Sequence, residues 1–383
     1  MIAAVFGVAT VAVWAYLLTG RGGFWQARET DAAEPPAPAA WPAIVAVVPA
    51  RDEADVIAAS VTSLLTQDYP GRFRVVLVDD DSSDGTTQAA RAAADRLGAG
   101  GRLEIVRGKP LPPGWTGKLW ALSQGVACAA ADDPKHLLLS DADIAHAPDS
   151  LRQLAARAEA GGFVLTSLMA ELHCRTWPER LLIPAFVLFF QMLYPFRWSN
   201  DPGRRLAAGA GGCMLVDHRA LAAAGGVAAV RGALIDDCAM ARLMKRQGRT
   251  WIGLTHRARS LRPYLSVGEV GRMISRSAYA QLGYSVAALA GTLAGLGLIF
   301  LAPPALTVFA TGPARLAGGL AWLAMAAAYQ PMLRFYGRSP LWGLAMPLIG
   351  ALYAGFTLSS AIASWRGRGG LWKGRVQALE EPA

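Results

Sequence analysis

Apolar positions divide the chain into three kinds of segment. Residues 1–20 carry no charged side chain, and their length matches the ~20 apolar residues that cross a hydrocarbon core. They lack the basic start and small-residue cleavage site of a secretory leader, so they are expected to be an anchor. Three more apolar stretches, 284–311, 316–333 and 341–365, predict C-terminal spans, with the first kinked or broken at Pro303–Pro304. Between anchor and spans, residues 43–281 form a mixed polar segment of one-domain size. A Pro/Ala-rich stretch, 21–42, links it to the anchor, and residues 366–383 form a basic tail.

Inside the polar segment the pattern predicts alternating strands and helices. AIVAVVPA (43–50), FRVVLVD (73–79), LEIVRG (103–108) and HLLLSD (136–141) are short apolar runs of the kind buried on both faces of a sheet. Residues 54–65 and 119–129 have helical periodicity, and a further helix follows DDDSSDGT, with Asp84 its expected N-cap. This order predicts an α/β fold with a mostly parallel sheet and right-handed crossovers. Ligands of such sheets sit beyond the carboxyl ends of the strands. There the chain places Arg51–Asp52–Glu53, Asp79–Asp80–Asp81, and the pair Asp141 and Asp143. One acidic strand end is a turn. Several on one sheet edge make a site.

The chain is 53% hydrophobic and 17% charged, with a net charge of +9. Its basic residues form no aromatic-interleaved nucleic-acid motif, so the excess is assigned to anionic lipid headgroups, with no nucleic-acid partner. Cys128, Cys174, Cys213 and Cys238 have no paired metal spacing and are expected to be reduced core residues of a cytosolic domain. No GxGxxG follows the first strand, GAGGCM (209–214) lacks the last glycine, and there is no P-loop. A nucleotide would therefore be held by carboxylates accepting its hydrogen bonds and by a cation on its diphosphate. Asp141 and Asp143 supply the hard oxygen ligands that Mg²⁺ or Mn²⁺ prefers.

VVPARDEADVI, VVLVDDDSSDGT, GWTGKLWAL, LLLSDADI, GGCMLVDHRAL and LIDDCAMARLMKRQG occur in this order along the chain. The order resembles that of family 2 glycosyltransferases, which are inverting enzymes with the GT-A nucleotide-binding fold. With the anchor and C-terminal spans included, the chain is similar almost end to end to the hopene-associated membrane glycosyltransferases of bacteria. The resemblance implies a multi-pass protein of the bacterial inner membrane whose catalytic domain faces the cytoplasm. It also implies a nucleotide-sugar donor, UDP-linked, a Mg²⁺ or Mn²⁺ cofactor, and an acceptor drawn from the bilayer, with a hopanoid or other polyisoprenoid as the family-level expectation.

Carried over by motif, Ala50, Asp52 and Glu53 line the uridine pocket, and Asp79 or Asp80 accepts the uracil N–H. Asp81 stands where the family usually has glycine. Lys118 lies near the diphosphate or donor sugar. Asp141 and Asp143 resemble the DxD motif, with Asp143 the direct metal ligand, and Asp236–Asp237 resembles the acidic pair whose second member is the catalytic base. The QxxRW motif of processive members is degraded: Arg276 keeps the arginine, while Met273 and Ser277 replace the glutamine and tryptophan. A single transfer is expected rather than polymer threading. Each residue also has a plainer reading: Lys118 as a surface ion pair, Asp236–Asp237 as helix-dipole acids, Arg276 as a headgroup anchor.

WPERLLIPAFVLFFQMLYPFRW (177–198) has an apolar core shorter than the ~20 residues of a comfortable span, bracketed by tryptophans. It is expected to lie in the membrane interface, against the plainer alternative of a buried core helix. Transfer to a polysaccharide or to a polyprenyl phosphate is the nearest alternative activity. A metal-dependent phosphoryl transferase would need a nucleophilic Asp after the first strand, which ARDEAD matches poorly, and a scaffold would need no acids at three strand ends.

Overall fold

In a computed structural model the described residues are 1–369, 371–372 and 375–376. Of the basic tail, Arg366 and Arg368 are therefore described, whereas Lys373 and 377–383 lie outside the described residues. The chain divides into two compact units: a helical one built from Met1–Arg28, Cys174–Arg197 and Pro263–Gly370, and an α/β one built chiefly on Glu29–His173 and Trp198–Arg262.

The α/β unit is organised on an eight-stranded sheet. In chain order the strands are β1 (Ile44–Ala50), β2 (Phe73–Asp79), β3 (Leu103–Arg107), β4 (His136–Ser140), β5 (Ile144–His146), β6 (Phe163–Glu171), β7 (Cys213–Asp217) and β8 (Arg249–Ser260). Their order across the sheet is β3-β2-β1-β4-β7-β6-β8-β5. β1 to β4 are parallel, β7 runs against β4 and β6, and β5 runs against β8. The expected GT-A-like, mostly parallel sheet is present, with β5 and β7 as its reversed strands.

β1 shows why the apolar runs become central strands. All of its residues are buried, and alternate side chains serve opposite layers. Ile44, Ala46, Val48 and Ala50 pack with Ile57, Val61 and Leu64 of the following helix. Val45 and Val47 pack with Leu119 and Leu122 of the helix Gly117–Ala129. That helix lies close because Gly125 has no side chain: a Cβ there would come 2.3 Å from Val47 Cγ1 and 2.9 Å from Val78 Cγ2. Pro49 has no N–H to donate, and pairing of β1 with β4 ends before it, at Val47↔Leu139. The carboxyl ends of β1 and β4 are thus free to form a pocket.

In the helical unit four helices are long and apolar enough to cross a membrane: Ile2–Thr19, Val286–Phe309, Gly312–Phe335 and Pro340–Trp365. Small residues bring the first against the third: a Cβ at Gly7 would sit 3.2 Å from Ala317 Cβ. The break expected at Pro303–Pro304 takes the form of a π-helical turn, Gly297–Leu301, just before the helix Ala302–Phe309. The prolines occupy that helix's first positions, where their lost N–H groups cost least.

Residues 177–198 differ from expectation. The helix Trp177–Leu193 belongs to the helical unit, not to the α/β unit. Leu182, Ile183, Val187 and Leu188 are buried and Phe189 is 8% exposed. The Phe189 ring meets Tyr353 edge-on at 4.6 Å, and the Tyr353 hydroxyl donates to Leu182 O at 3.0 Å. Most of this helix is packed, whereas Trp177 and Leu193 at its two ends stay 63% and 48% exposed. The reason is legible at its start: Thr176 and Glu179 form a capping box, and the buried Glu179 also accepts the Arg175 and Tyr264 N–H groups.

Candidate active site

The first two strand ends lock together. The β1 loop turns at Asp52 (φ 50°) and the β2 loop at Asp81 (φ 59°). Asp81 adopts the left-handed conformation that glycine favours and aspartate tolerates. Asp52 N–H donates to Ser82 Oγ, Asp52 Oδ1 accepts from Ser83 N–H, and Glu53 N–H donates to Thr86 Oγ1. Asp84 is not the N-cap itself. That position is Gly85, at φ 93°, and Asp84 instead takes Thr86 N–H and hydroxyl with one oxygen and Ala54 N–H with the other. It fastens the helix start to the β1 loop.

Asp79 and Asp80 differ in access. Asp80 is 2% exposed and donates its N–H to Ala50 O, while Arg51 lies 3.7 Å from its carboxylate. Asp79 is partly exposed, and its oxygens accept from Ser82 N–H and the Thr87 hydroxyl. Each of those oxygens keeps a lone pair for a further donor.

The β4 end and the start of the helix Asp236–Lys245 meet at Lys118. Thr116 caps the helix Gly117–Ala129, accepting the Leu119 N–H, and thereby sets Lys118 in the first turn. Its Nζ bridges Asp141 Oδ1 at 2.7 Å and Asp236 Oδ2 at 2.9 Å. Burial opposes the ammonium charge, but Asp141 and then Asp236 hold it well above its ordinary value. Pro49, Ser140, Gly211, Asp236 and Asp237 line, with these side chains, a cavity of about 20 Å³.

Asp237 is held from two sides. Its Oδ1 accepts the Cys238 N–H at 2.7 Å and its Oδ2 the Gly211 N–H at 3.2 Å. Burial and then the charge of Asp236 push its carboxyl up to about 6, against the lowering effect of Lys118 and the two N–H groups. That value suits a proton acceptor near neutrality. Gly211 allows the close approach: a Cβ there would lie 3.2 Å from Lys118 Nζ and 3.6 Å from Asp237 Cβ.

Asp143 lies beside the β5–β8 pairing. Its backbone O accepts Leu261 N–H at 2.8 Å, and its Oδ2 accepts the Ser260 hydroxyl at 3.3 Å. Burial and then Asp141 raise its carboxyl above the ordinary range, with Arg262 and Ser260 opposing. A carboxylate raised in this way, two residues from a second one, is a donor set that fits a hard divalent cation. Among the described residues no group of three His, Cys, Asp or Glu side chains gathers as a metal site. The remaining ligands would be diphosphate oxygens and water, as Mg²⁺ sites commonly use.

Ala50, Asp52, Glu53, Asp79, Asp80, Lys118, Asp141, Asp143, Asp236 and Asp237 all belong to the α/β unit. Arg276 lies in the helical unit, on the helix Val267–Gln281. Sequence reading missed Arg262, which pairs with Glu53, and the Gly211 N–H. The signal for Gly211 was present in GAGGC, a glycine cluster at the start of a strand. Arg262 gives none, because Glu53 is 209 positions away.

The fold is that of the GT-A class. It is similar to a mannosyltransferase from Pyrobaculum calidifontis in complex with GDP-Man and Mn²⁺, with a TM-score of 0.55, 18% identity, and 96% of this chain and 99% of that chain covered. Residues 45–223 match the family model described as Glycosyl transferase family 2, which runs from β1 past β7. A curated N-acetylglucosaminyltransferase of Rhizobium sp. (strain N33) is 29% identical over 146 residues, 37% of this chain. The match spans 30% of that relative's length.

Proposed function

We propose that this protein transfers a sugar from a nucleotide-diphosphate donor to a hydroxyl of a membrane lipid, with inversion at the anomeric carbon. The observation that carries the reading is the meeting of Lys118, Asp141, Asp236 and Asp237 at the carboxyl edge of the parallel strands. The match of 45–223 to family 2 supports it. The donor's base and ribose lie along the β1 and β2 loops, where Asp79 and Glu53 present acceptors.

Asp141 and Asp143 would hold Mg²⁺ or Mn²⁺, which when bound acts as a Lewis acid for the departing diphosphate. Asp237 takes the proton of the attacking hydroxyl on a carboxylate that the Gly211 and Cys238 N–H groups orient. Asp236 and Lys118 set the charge around it. One base and one direct displacement invert the anomeric centre.

A lipid acceptor is supported by the four membrane-length helices in the same chain. A hopanoid or other polyisoprenoid follows from the motif resemblance, as do a UDP-linked donor, the bacterial inner membrane and a cytoplasmic orientation. The degraded QxxRW at Met273, Arg276 and Ser277 supports a single transfer.

The testing experiment is a radiolabelled-sugar transfer assay on the detergent-purified protein with lipid extract as acceptor. Asp143→Ala should abolish Mg²⁺- or Mn²⁺-dependent turnover while the protein stays folded. Unchanged turnover would remove the metal from the reading.

A further inference from the structure

Each carboxylate of the Asp141/Asp143 pair is met by a cationic side chain whose second partner lies elsewhere in the site. Lys118 joins Asp141 to Asp236. Arg262, the last residue of the α/β unit's stretch Trp198–Arg262, is bonded to Glu53, and its Nε lies 3.8 Å from Asp143 Oδ2. The Lys118 and Arg262 side chains are 20% and 33% exposed, so water screens neither pair fully.

We propose that Lys118 and Arg262 are place-holding cations for the Asp141/Asp143 site. They neutralise the pair before the donor arrives, and they turn onto the donor's diphosphate when a divalent ion takes their place. The inference rests on the glycosyl-transfer reading above and adds to it an order of events: nucleotide and metal enter together.

The reason is electrostatic. Asp141, Asp143, Asp236, Asp237 and Glu53 crowd one strand edge, and without positive charge they repel one another. In this structure the two side chains supply that charge. A divalent ion on Asp141 and Asp143 replaces it and repels the displaced ammonium and guanidinium. Nucleotide diphosphate provides the anionic oxygens that both groups bind well. Metal alone offers them nothing in exchange and must compete with both cations. Asp236 and Glu53 act as tethers, keeping each displaced group within reach of the site.

The test measures Mn²⁺ binding by electron paramagnetic resonance on the full chain in detergent, with and without UDP, and with GDP as a second nucleotide. Wild type should bind Mn²⁺ weakly alone and at least about tenfold more tightly with nucleotide. Lys118→Met and Arg262→Met should each tighten nucleotide-free Mn²⁺ binding by about two- to fivefold, the size of one lost charge contact. The further gain from nucleotide should shrink in both. Arg107→Met removes the same charge from an exposed position at the end of β3 and should leave Mn²⁺ binding unchanged.

Nucleotide-free affinity in both variants at or below wild type, with nucleotide still tightening wild type, overturns the place-holding role and leaves the proposed function standing. Equal tightening in Arg107→Met also overturns it, because net charge alone would then explain the effect. Wild type that binds no Mn²⁺ even with nucleotide overturns the metal-assisted reading itself. Circular dichroism melts screen the variants for folding, and Lys118→Gln and Arg262→Gln replace any methionine variant that fails.

Discussion

At the scale of single residues, Asp237 and Asp236 are neighbours in sequence with opposite circumstances. Asp236 shares a salt bridge with Lys118, whereas Asp237 is part-buried and accepts the Gly211 and Cys238 N–H groups. Asp237→Asn keeps shape but cannot take a proton at neutral pH. Transfer should fall by about 10²–10⁴-fold, the usual contribution of a general base. Nucleotide affinity, read by calorimetry, should barely move because the donor contacts lie on other strand ends. A loss of nucleotide binding would make Asp237 a donor-site residue. The pH profile gives a second handle. A base must be ionised to act, so with the Asp237 carboxyl at about 6, kcat/KM should decline with acidity below about that pH. Asp236→Asn removes the neighbouring negative charge that raises the carboxyl, so the acid limb should move to lower pH. An unmoved limb would place the titrating base elsewhere.

At the scale of elements, legibility followed burial. β1, β2 and β4 stood out in the sequence because both of their faces are covered, which leaves uninterrupted apolar runs, whereas the edge strand β3 keeps Glu104 and Arg107 exposed. The acids following them were legible for the same reason, since they mark where burial stops. Pairings between distant segments were not. Asp143 owes its setting to β5 lying against β8, with Ile144 opposite Ser260, and Arg262 finds Glu53 across the unit. Neither contact leaves a period or a spacing to read. For the helix Trp177–Leu193 the sequence leaves a buried and an interfacial reading open, because both share an apolar composition and only the surroundings distinguish them. Gly125 offers an element-scale test. Because a Cβ there overlaps Val47 and Val78, Gly125→Ala should destabilise the α/β unit by about 1–3 kcal/mol, the usual cost of overpacking. Val47→Ala costs stability alone but removes the clashing Cγ1, so the double variant should be more stable than the sum of the single losses. Denaturant melts of the four proteins decide it. Additive losses would mean that the helix shifts as a body to relieve the contact.

At the scale of the whole molecule, the helical unit is assembled from separated stretches of chain, with the α/β unit's segments between them. Its orientation in a membrane poses a charge problem. With a cytosolic α/β unit and three spans after it, Arg366 and Arg368 would lie outside, against the positive-inside rule. A re-entrant segment among the three would return them to the cytosolic side, and a reporter fusion at the C-terminus reads which side they occupy. The interleaving also carries a consequence for dissection. A fragment spanning 43–281 looks like a self-contained domain in the sequence, yet it includes Trp177–Leu193 without the later helices that cover it. Phe189 would lose Tyr353 and Phe300, whose rings lie at 4.6 and 5.3 Å, and Leu182 O would lose the Tyr353 hydroxyl. Leu182, Ile183, Val187 and Leu188, now buried, would be uncovered to the extent that the later helices shield them. Each such side chain is worth about 1.5–3 kcal/mol when fully buried, so their exposure rivals the ~5–15 kcal/mol that holds a typical domain together. The fragment should therefore aggregate in buffer and stay dispersed only in detergent, whereas the full chain in detergent should elute as one species. Size-exclusion chromatography of both, with and without detergent, reads this directly. A fragment monodisperse in plain buffer would show that Trp177–Leu193 does not depend on the later helices for its cover.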